Sequence, residues 1–274
     1  MNDKELKLLH NKILELAEYF DIFCKENEII YYLMGGTALG AIRHQGFIPW
    51  DDDFDVFMDY DNYNKFRKVV KDKLDTDKYY FQAEDTEEWP MYFSKIRINN
   101  TTFIEKDVKD KKMHHGIYID IMCLNNTSSN KYIRYVQYFS ARVLNTRALI
   151  EKGYITNSKI KQLFLSLSKI IVTKPIKNIL LRFIRSFNKK DTLLVGHFFG
   201  RAPFLKTSFP KDYLGKPNYV KFESLKLPVP HKVEEYLIVR YGDRYMELPS
   251  EEVKMQYPSH AYIVDTKKSY EGYV

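Results

Sequence analysis

The chain has 274 residues, 45% hydrophobic and 29% charged, the make-up of a soluble folded chain with room for one large domain or one domain carrying a long insertion. Two cysteines, Cys24 and Cys123, are too few for a secreted disulfide framework and read as free thiols, while the charged amino terminus and the lack of any apolar run near the ~20 residues of a spanning helix argue against export and membrane crossing. The net charge of +7 is uneven: residues 131–190 hold 14 Lys and Arg against one acid, Glu151, and the other 214 residues hold 29 basic and 35 acidic groups, so the insert asks for an anionic partner.

Residues 3–25 read as a helix, because Leu6, Leu9, Ile13, Leu16, Phe20 and Phe23 recur at three- and four-residue steps. "IIYYLMGG" reads as a short strand ending at Gly35-Gly36, and Thr37 as the cap of a short helix that ends near Gly46. "FDVFMDY" alternates as a strand, with Phe54, Val56 and Met58 on one face and Asp53, Asp55 and Phe57 on the other. A helix follows over "NYNKFRKVVKDKL", then a hairpin over "MYFSKIRINNTTFIEK" turning near Asn99-Asn100. "GIYIDIMCL" is a further strand that sets Asp120 on the face of Tyr118 and Met122. Residues 131–190 read as mainly helical, broken at Gly153 and Pro175. The tail, 196–274, reads as loops, short strands and one helix, "HKVEEYLIVRYG". This order predicts an α+β domain of α/β type, a mixed sheet with helices on it, divided as a core over 1–130, a basic helical insertion over 131–195 and a carboxy-terminal segment over 196–274.

"GFIPWDDDFDVFM" concentrates Asp51, Asp52, Asp53 and Asp55 within five positions. Two residues apart on a strand, Asp53 and Asp55 share a face with Cα atoms about 6.5 Å apart, and charges so close repel unless a cation lies between them. A hard divalent ion such as Mg²⁺, or Mn²⁺, is the natural partner. An EF-hand reading fails, because that loop needs Gly at its sixth position and Glu at its twelfth, where Val56 and Asn62 stand. Taken alone, the cluster leaves a metal site and a solvated turn equally open. Gly35-Gly36 between a strand and a helix start offers a phosphate cradle or simply a tight turn. Asp120, a lone acid in "IYIDIM", needs a partner if buried, and a metal site shared with Asp53 and Asp55 supplies one.

The string "MGGTALGAIRHQGFIPWDDDFDVFM", with "SKIRINNT", "GIYIDIM", "VKFESLKLPVP", "EEYLIVRYGDRYMELP" and His260, resembles the LicD family of phosphotransferases, which includes the relatives of fukutin. The resemblance covers residues 30–125 and 195–260 and departs at Ser224, where many relatives have Gly. It implies a nucleotidyltransferase (polymerase β-like) core and transfer of a phospho-group from a CDP-linked donor, CDP-choline above all, to a sugar hydroxyl of a lipid-linked glycan precursor. It implies Asp53, Asp55 and Asp120 as metal-binding and catalytic residues, with Gly35, Gly36 and Thr37 at the donor phosphates. Arg43, His44 and Lys95 are further phosphate candidates, against a plain reading of Arg43 and His44 as charges at a helix end. Trp50 and nearby tyrosines could face a quaternary ammonium. Asp51 and Asp52 are expected to shape the approach to the site.

The insert, rich in apolar and basic residues, fits an interfacial helix on anionic lipid as well as a helical subdomain with a solvated basic face. The expected location is cytoplasmic, peripheral on the inner face of the membrane, with no nucleic acid as partner. Two rivals are a true nucleotidyltransferase acting on RNA, protein or a small molecule, and a non-catalytic RNA-binding module. The second leaves the aspartates unexplained.

Overall fold

A computed structural model describes residues 1–273 apart from 155, 157 and 256–258, and of Lys161 the backbone alone. The part of the helical expectation that falls on 155 and 157 lies outside the described residues. Helix α1, Asp3–Glu26, begins with a reciprocal cap in which Asn2 Oδ1 accepts from Glu5 N–H at 2.9 Å and Glu5 Oε2 accepts from Asn2 N–H at 2.9 Å. Its stripe of Leu9, Ile13, Leu16, Phe20 and Phe23 is buried, as the periodicity predicts. Phe20 meets Phe66 of helix α3 (Tyr60–Lys73) edge-on at 5.8 Å. Burial of each such ring is worth about 2–3 kcal/mol.

Between these helices come strand β1 (Tyr32–Leu33), helix α2 (Gly35–His44) and strand β2 (Asp55–Asp59). Strands β3 (Tyr79–Gln82), β4 (Ser94–Ile98), β5 (Thr102–Glu105) and β6 (Tyr118–Thr127) follow. The central sheet runs β1-β2-β6-β4-β3; β2 and β6 are parallel and the other neighbours antiparallel. The chain is thus α+β with a mixed sheet, as the element order predicts. Val56, Met58, Ile119 and Ile121 are buried on the apolar face.

The turn at Asn99-Asn100 is present, with Asn100 at φ 56°, but the expected hairpin is not. Both edges of β4 are taken, one by β3 and one by β6. Strand β5 therefore leaves the sheet and pairs with strand β11 (Ala261–Asp265) near the carboxy terminus.

Helices α4 (Lys131–Lys152), α5 (Lys159–Ile171) and α6 (Lys174–Arg185) form the insertion. Helix α4 stops at Gly153, whose φ of 98° closes its carboxy end, and Pro175 stands in the first turn of α6. A second core joins Leu144, Ala148, Val172 and Ile184 of the insertion to Tyr92 and Phe198 outside it. Glu84, almost fully buried, ties it to the main body: its Oε1 lies 2.8 Å from Arg185 of α6 and 3.0 Å from Arg67 of α3. The chain returns through β7 (Leu194–Gly196), which pairs with the far end of β6, and β8 (Ser208–Pro210), which pairs with β7. The antiparallel pair β9 (Asn218–Phe222) and β10 (Leu225–Val229) and helix α7 (Val233–Tyr241) cover the mouth of α2. Cys24 and Cys123 are both free and buried. Among the described residues no helix is long and apolar enough to cross a membrane.

Candidate active site

The parallel pairing of β2 and β6 sets the centre of the site. Asp55 and Asp120 are register partners on these neighbouring strands, so their side chains leave the sheet on one face, side by side. Asp53 lies just before β2 in the loop rather than on the strand, and it still feels Asp120 and Asp52 electrostatically. Burial, more than any neighbour, lifts the pKa of Asp55 well above the carboxylate range, and Asp53, Asp120 and Asp51 add to it. Asp51, Asp53 and Asp120 are raised too, each mainly by burial.

Helix α2 aims its amino-terminal end at this cluster, and the glycine pair has a specific task there. A Cβ on Gly36 would stand 2.8 Å from Asp51 Oδ2, and one on Gly35 would stand 3.3 Å from Asp55 Oδ2. The glycines let carboxylates approach the helix start, where the dipole favours negative charge. Gly35, at φ 62°, also adopts a left-handed backbone that other residues enter at a cost. Its N–H is not free for a phosphate: it donates to Tyr236 Oη of α7 at 2.9 Å. Thr37 is not the cap, because the helix starts two residues earlier after Met34. Its Oγ1 instead accepts from the N–H of Asp55 at 2.8 Å and so fixes the start of β2.

Of the cationic candidates, Lys95 reaches the centre and Arg43 is held elsewhere. Lys95, on β4, is the register partner of Asp120 from the other side, and its Nζ lies 2.8 Å from Asp120 Oδ1 and 3.2 Å from Glu105 Oε1. It is only 1% exposed, under the ring of Tyr118 at 3.2 Å and near Trp89 at 4.9 Å. Burial lowers its pKa while Asp120 and Glu105 hold it up. Glu105 also binds Lys152 of the insertion at 2.8 Å, so one buried chain of charge runs from α4 to Asp120. Burial opposes the charge on Glu105, yet Lys95, Lys152 and Arg97 hold its pKa well below the usual range. Arg43 donates to the carbonyls of Tyr245 at 3.0 Å and Glu247 at 3.1 Å, and its Nε lies 3.0 Å from His44 Nε2. His44 approaches Trp50 edge-on at 6.3 Å, and the Trp50 face carries the Lys254 ammonium at 4.5 Å.

Asp52 does more than shape an approach. It is 3% exposed and accepts from Ser259 Oγ at 2.6 Å and His260 N–H at 2.8 Å, with His260 Nδ1 at 2.9 Å. Burial works against its charge, and the bonds from His260 and Ser259 overcome that and leave its pKa lowered. The hydrogen bond to Asp52 raises the pKa of His260, which also stands 4.0 Å from Asp53 Oδ2. His260 thus joins the tail to the aspartate loop, a role with no local sequence signal. Tyr236, Glu105 and Lys152 were equally hidden, since each reaches the site only through long-range packing.

The donor set suits a hard divalent cation in chemistry. Its carboxylates are crowded and pushed toward neutrality, mainly by burial, and Asp120 Oδ1 is met by the Lys95 ammonium at 2.8 Å. Among the described residues, however, no three His, Cys, Asp or Glu side chains are already gathered as a metal-ligand set.

The family described as "LicD/FKTN/FKRP, nucleotidyltransferase domain" matches residues 28–122, which include the glycine pair and every aspartate discussed above. The lipopolysaccharide cholinephosphotransferase LicD of Haemophilus influenzae is 31% identical over 270 residues, 95% of this chain and 100% of that one. An uncharacterised protein of Rickettsia typhi is 42% identical over 45 residues, 16% of this chain and 15% of its own, and one of Rickettsia prowazekii is 58% identical over 31 residues, 11% and 12% of the two chains. With a relative matched along its whole length and most of the core, including its motifs, matched as a domain, the chain belongs to the LicD family.

Proposed function

We propose that this LicD-family phosphotransferase moves phosphocholine from CDP-choline to a sugar hydroxyl of a cell-surface glycan precursor, of lipopolysaccharide, teichoic acid or capsule type, and releases CMP. The observation that carries the reading is the register of Asp55, half-buried, against the buried Asp120, two carboxylates of raised pKa on parallel neighbouring strands, in a chain matched over 95% of its length with a lipopolysaccharide cholinephosphotransferase. The core is read as a nucleotidyltransferase-type fold, in line with the name of the matching family.

Asp53, Asp55 and Asp120 are the residues to hold Mg²⁺ or Mn²⁺. When bound, such an ion supplies charge stabilisation to phosphate oxygens during in-line displacement. The rest falls to the chain itself. Asp120, beside Lys95 and of raised pKa, takes the proton of the sugar hydroxyl. The hydroxyl oxygen forms a bond to the phosphorus that bears choline, and the bond from that phosphorus to the CMP oxygen breaks. Lys95 keeps Asp120 in place and limits how far its pKa climbs. Thr37 and Tyr236 fix the backbone beneath the donor, and Gly36 leaves room for Asp51.

The test is turnover of CDP-choline by the purified chain with Mg²⁺ and a lipopolysaccharide or teichoic acid acceptor. CMP release coupled to acceptor-bound phosphocholine is expected. Pyrophosphate released from a nucleoside triphosphate, with CDP-choline untouched, would overturn the reading in favour of nucleotidyl transfer.

A further inference from the structure

Helix α5 is built inside out. Ile160, Leu163, Phe164, Leu167, Ile170 and Ile171 recur at helical spacing and form one stripe about 120° wide. A stripe of that kind ordinarily faces a core. Here it faces solvent: Ile160 is 70% exposed, Phe164 64% and Ile170 73%. The side turned toward α4 carries Leu165, Ser168 and Val172 instead, and Ser168 is buried. The next helix, α6, leaves Ile179 63% exposed as well.

The charge around this stripe has one sign. No Asp or Glu occurs between Lys152 and Lys190. Lys159, Lys169, Lys174 and Arg182 are exposed, and none has an ion pair with any described acid. At 13 residues, α5 is about 20 Å long, too short to cross a hydrocarbon core of about 30 Å. Exposed apolar residues with unpaired cations at the two ends of the run, Lys159 and Lys174, on a helix too short to span, are the make-up of a segment that lies in a membrane interface.

We infer that α5 docks this protein onto an anionic lipid bilayer, its apolar stripe lying in the headgroup boundary and Lys159, Lys174 and Arg182 meeting the lipid phosphates. Charge complementarity selects this occupant over two others. A second copy seated on the stripe would bring the same cations together with no acid to offset them. A nucleic acid would meet the cations and leave five aliphatic side chains in water. The inference rests on the exposed face and its charge and is independent of the phosphocholine reading.

The test is co-sedimentation of the full chain with vesicles of phosphatidylglycerol and phosphatidylcholine at 3:7, against phosphatidylcholine alone. Binding to the anionic vesicles, at least about tenfold weaker on the neutral ones, is expected. Leu163→Ser with Phe164→Ser should reduce that binding about tenfold or more, while the far-ultraviolet circular dichroism and the turnover of a soluble acceptor stay unchanged. Lys159→Glu with Arg182→Glu should reduce it on anionic vesicles alone. Hydrogen exchange across 159–171 should slow when vesicles are added. No binding to anionic vesicles would overturn the inference. So would a stable dimer that the Leu163→Ser, Phe164→Ser variant dissolves, since the stripe would then be covered by a second copy.

Discussion

The aspartate front and the helical insertion break the ordinary rule of folding in opposite directions. At the front, carboxylates are taken out of water and crowded until their own charge is costly; on α5, large apolar side chains are left in water at helical spacing. Neither arrangement stabilises the isolated chain. The two differ in how they are held. The acids sit on a rigid frame of parallel strands, a helix start and buried hydrogen bonds, whereas the stripe sits on a helix that touches the rest of the insertion along one narrow side. A site for chemistry needs fixed geometry, and a surface for docking needs only area and charge.

The comparison is tested most severely at Asp55. Asp55→Asn should lower donor turnover roughly 1,000-fold, about 4 kcal/mol in barrier, and yet not weaken the fold. The sign follows from the raised pKa. A carboxyl held above its unfolded value of 3.8 contributes a cost that grows as pH rises toward the folded pKa and is fully present beyond it. The metal-free variant should therefore melt at or above the wild-type temperature at neutral pH, and Mg²⁺ should raise the melting temperature of the wild type but not of the variant. A variant that melts well below the wild type would mean that Asp55 is a structural acid.

The join between the two regions gives the next largest effect. Glu84→Gln leaves Arg185 and Arg67 without their shared carboxylate and should cost about 3 kcal/mol in urea unfolding, with loss of the insertion as a docked unit. If protease sensitivity over 131–190 stays unchanged, the insertion is held by its apolar contacts alone. Asp52→Ala should cost about 1–2 kcal/mol and speed hydrogen exchange in β11, because Ser259 and His260 lose their acceptor.

The smallest effect is expected at His197, whose buried Nε2 has no hydrogen-bond partner among the described residues and whose pKa is pushed down to about 3, mainly by burial. Below its unfolded value of 6.5 the unfolded chain takes up a proton that the folded chain refuses, so this group makes stability fall as pH drops from 6.5 toward 3. His197→Phe should be neutral or stabilising by about 1 kcal/mol at pH 7 and increasingly favourable toward pH 5, read from thermal melts at both values.

Much of this was legible in the residues, and what was not has a common cause. The α1 stripe, the alternation of β2 and the helical insertion with its break at Gly153 follow from local periodicity and turn chemistry. The hairpin over 91–106 failed because turn residues report a turn and not the partner of the next strand; β3 and β6 already flanked β4, and β5 went to β11. Thr37 has the right chemistry for a cap but stands two residues inside the helix, where its hydroxyl serves Asp55 instead. Gly35-Gly36 suggests a phosphate cradle or a tight turn; in the fold the pair leaves room for carboxylates, and the Gly35 N–H donates to Tyr236.

Sequence by itself determined which residues share a face: Asp55 with Phe57, and Asp120 with Tyr118. It also determined the charge asymmetry and the motif that places the chain in its family. Only the tertiary structure decided what each face meets. The parallel register sets Asp55 beside Asp120, β4 brings Lys95 to the same carboxylate, the tail brings His260 to Asp52, and α5 is turned so that its apolar side looks outward. Periodicity fixes direction within an element because neighbouring side chains are covalently ordered, whereas partners across elements are chosen by packing between residues far apart in the chain.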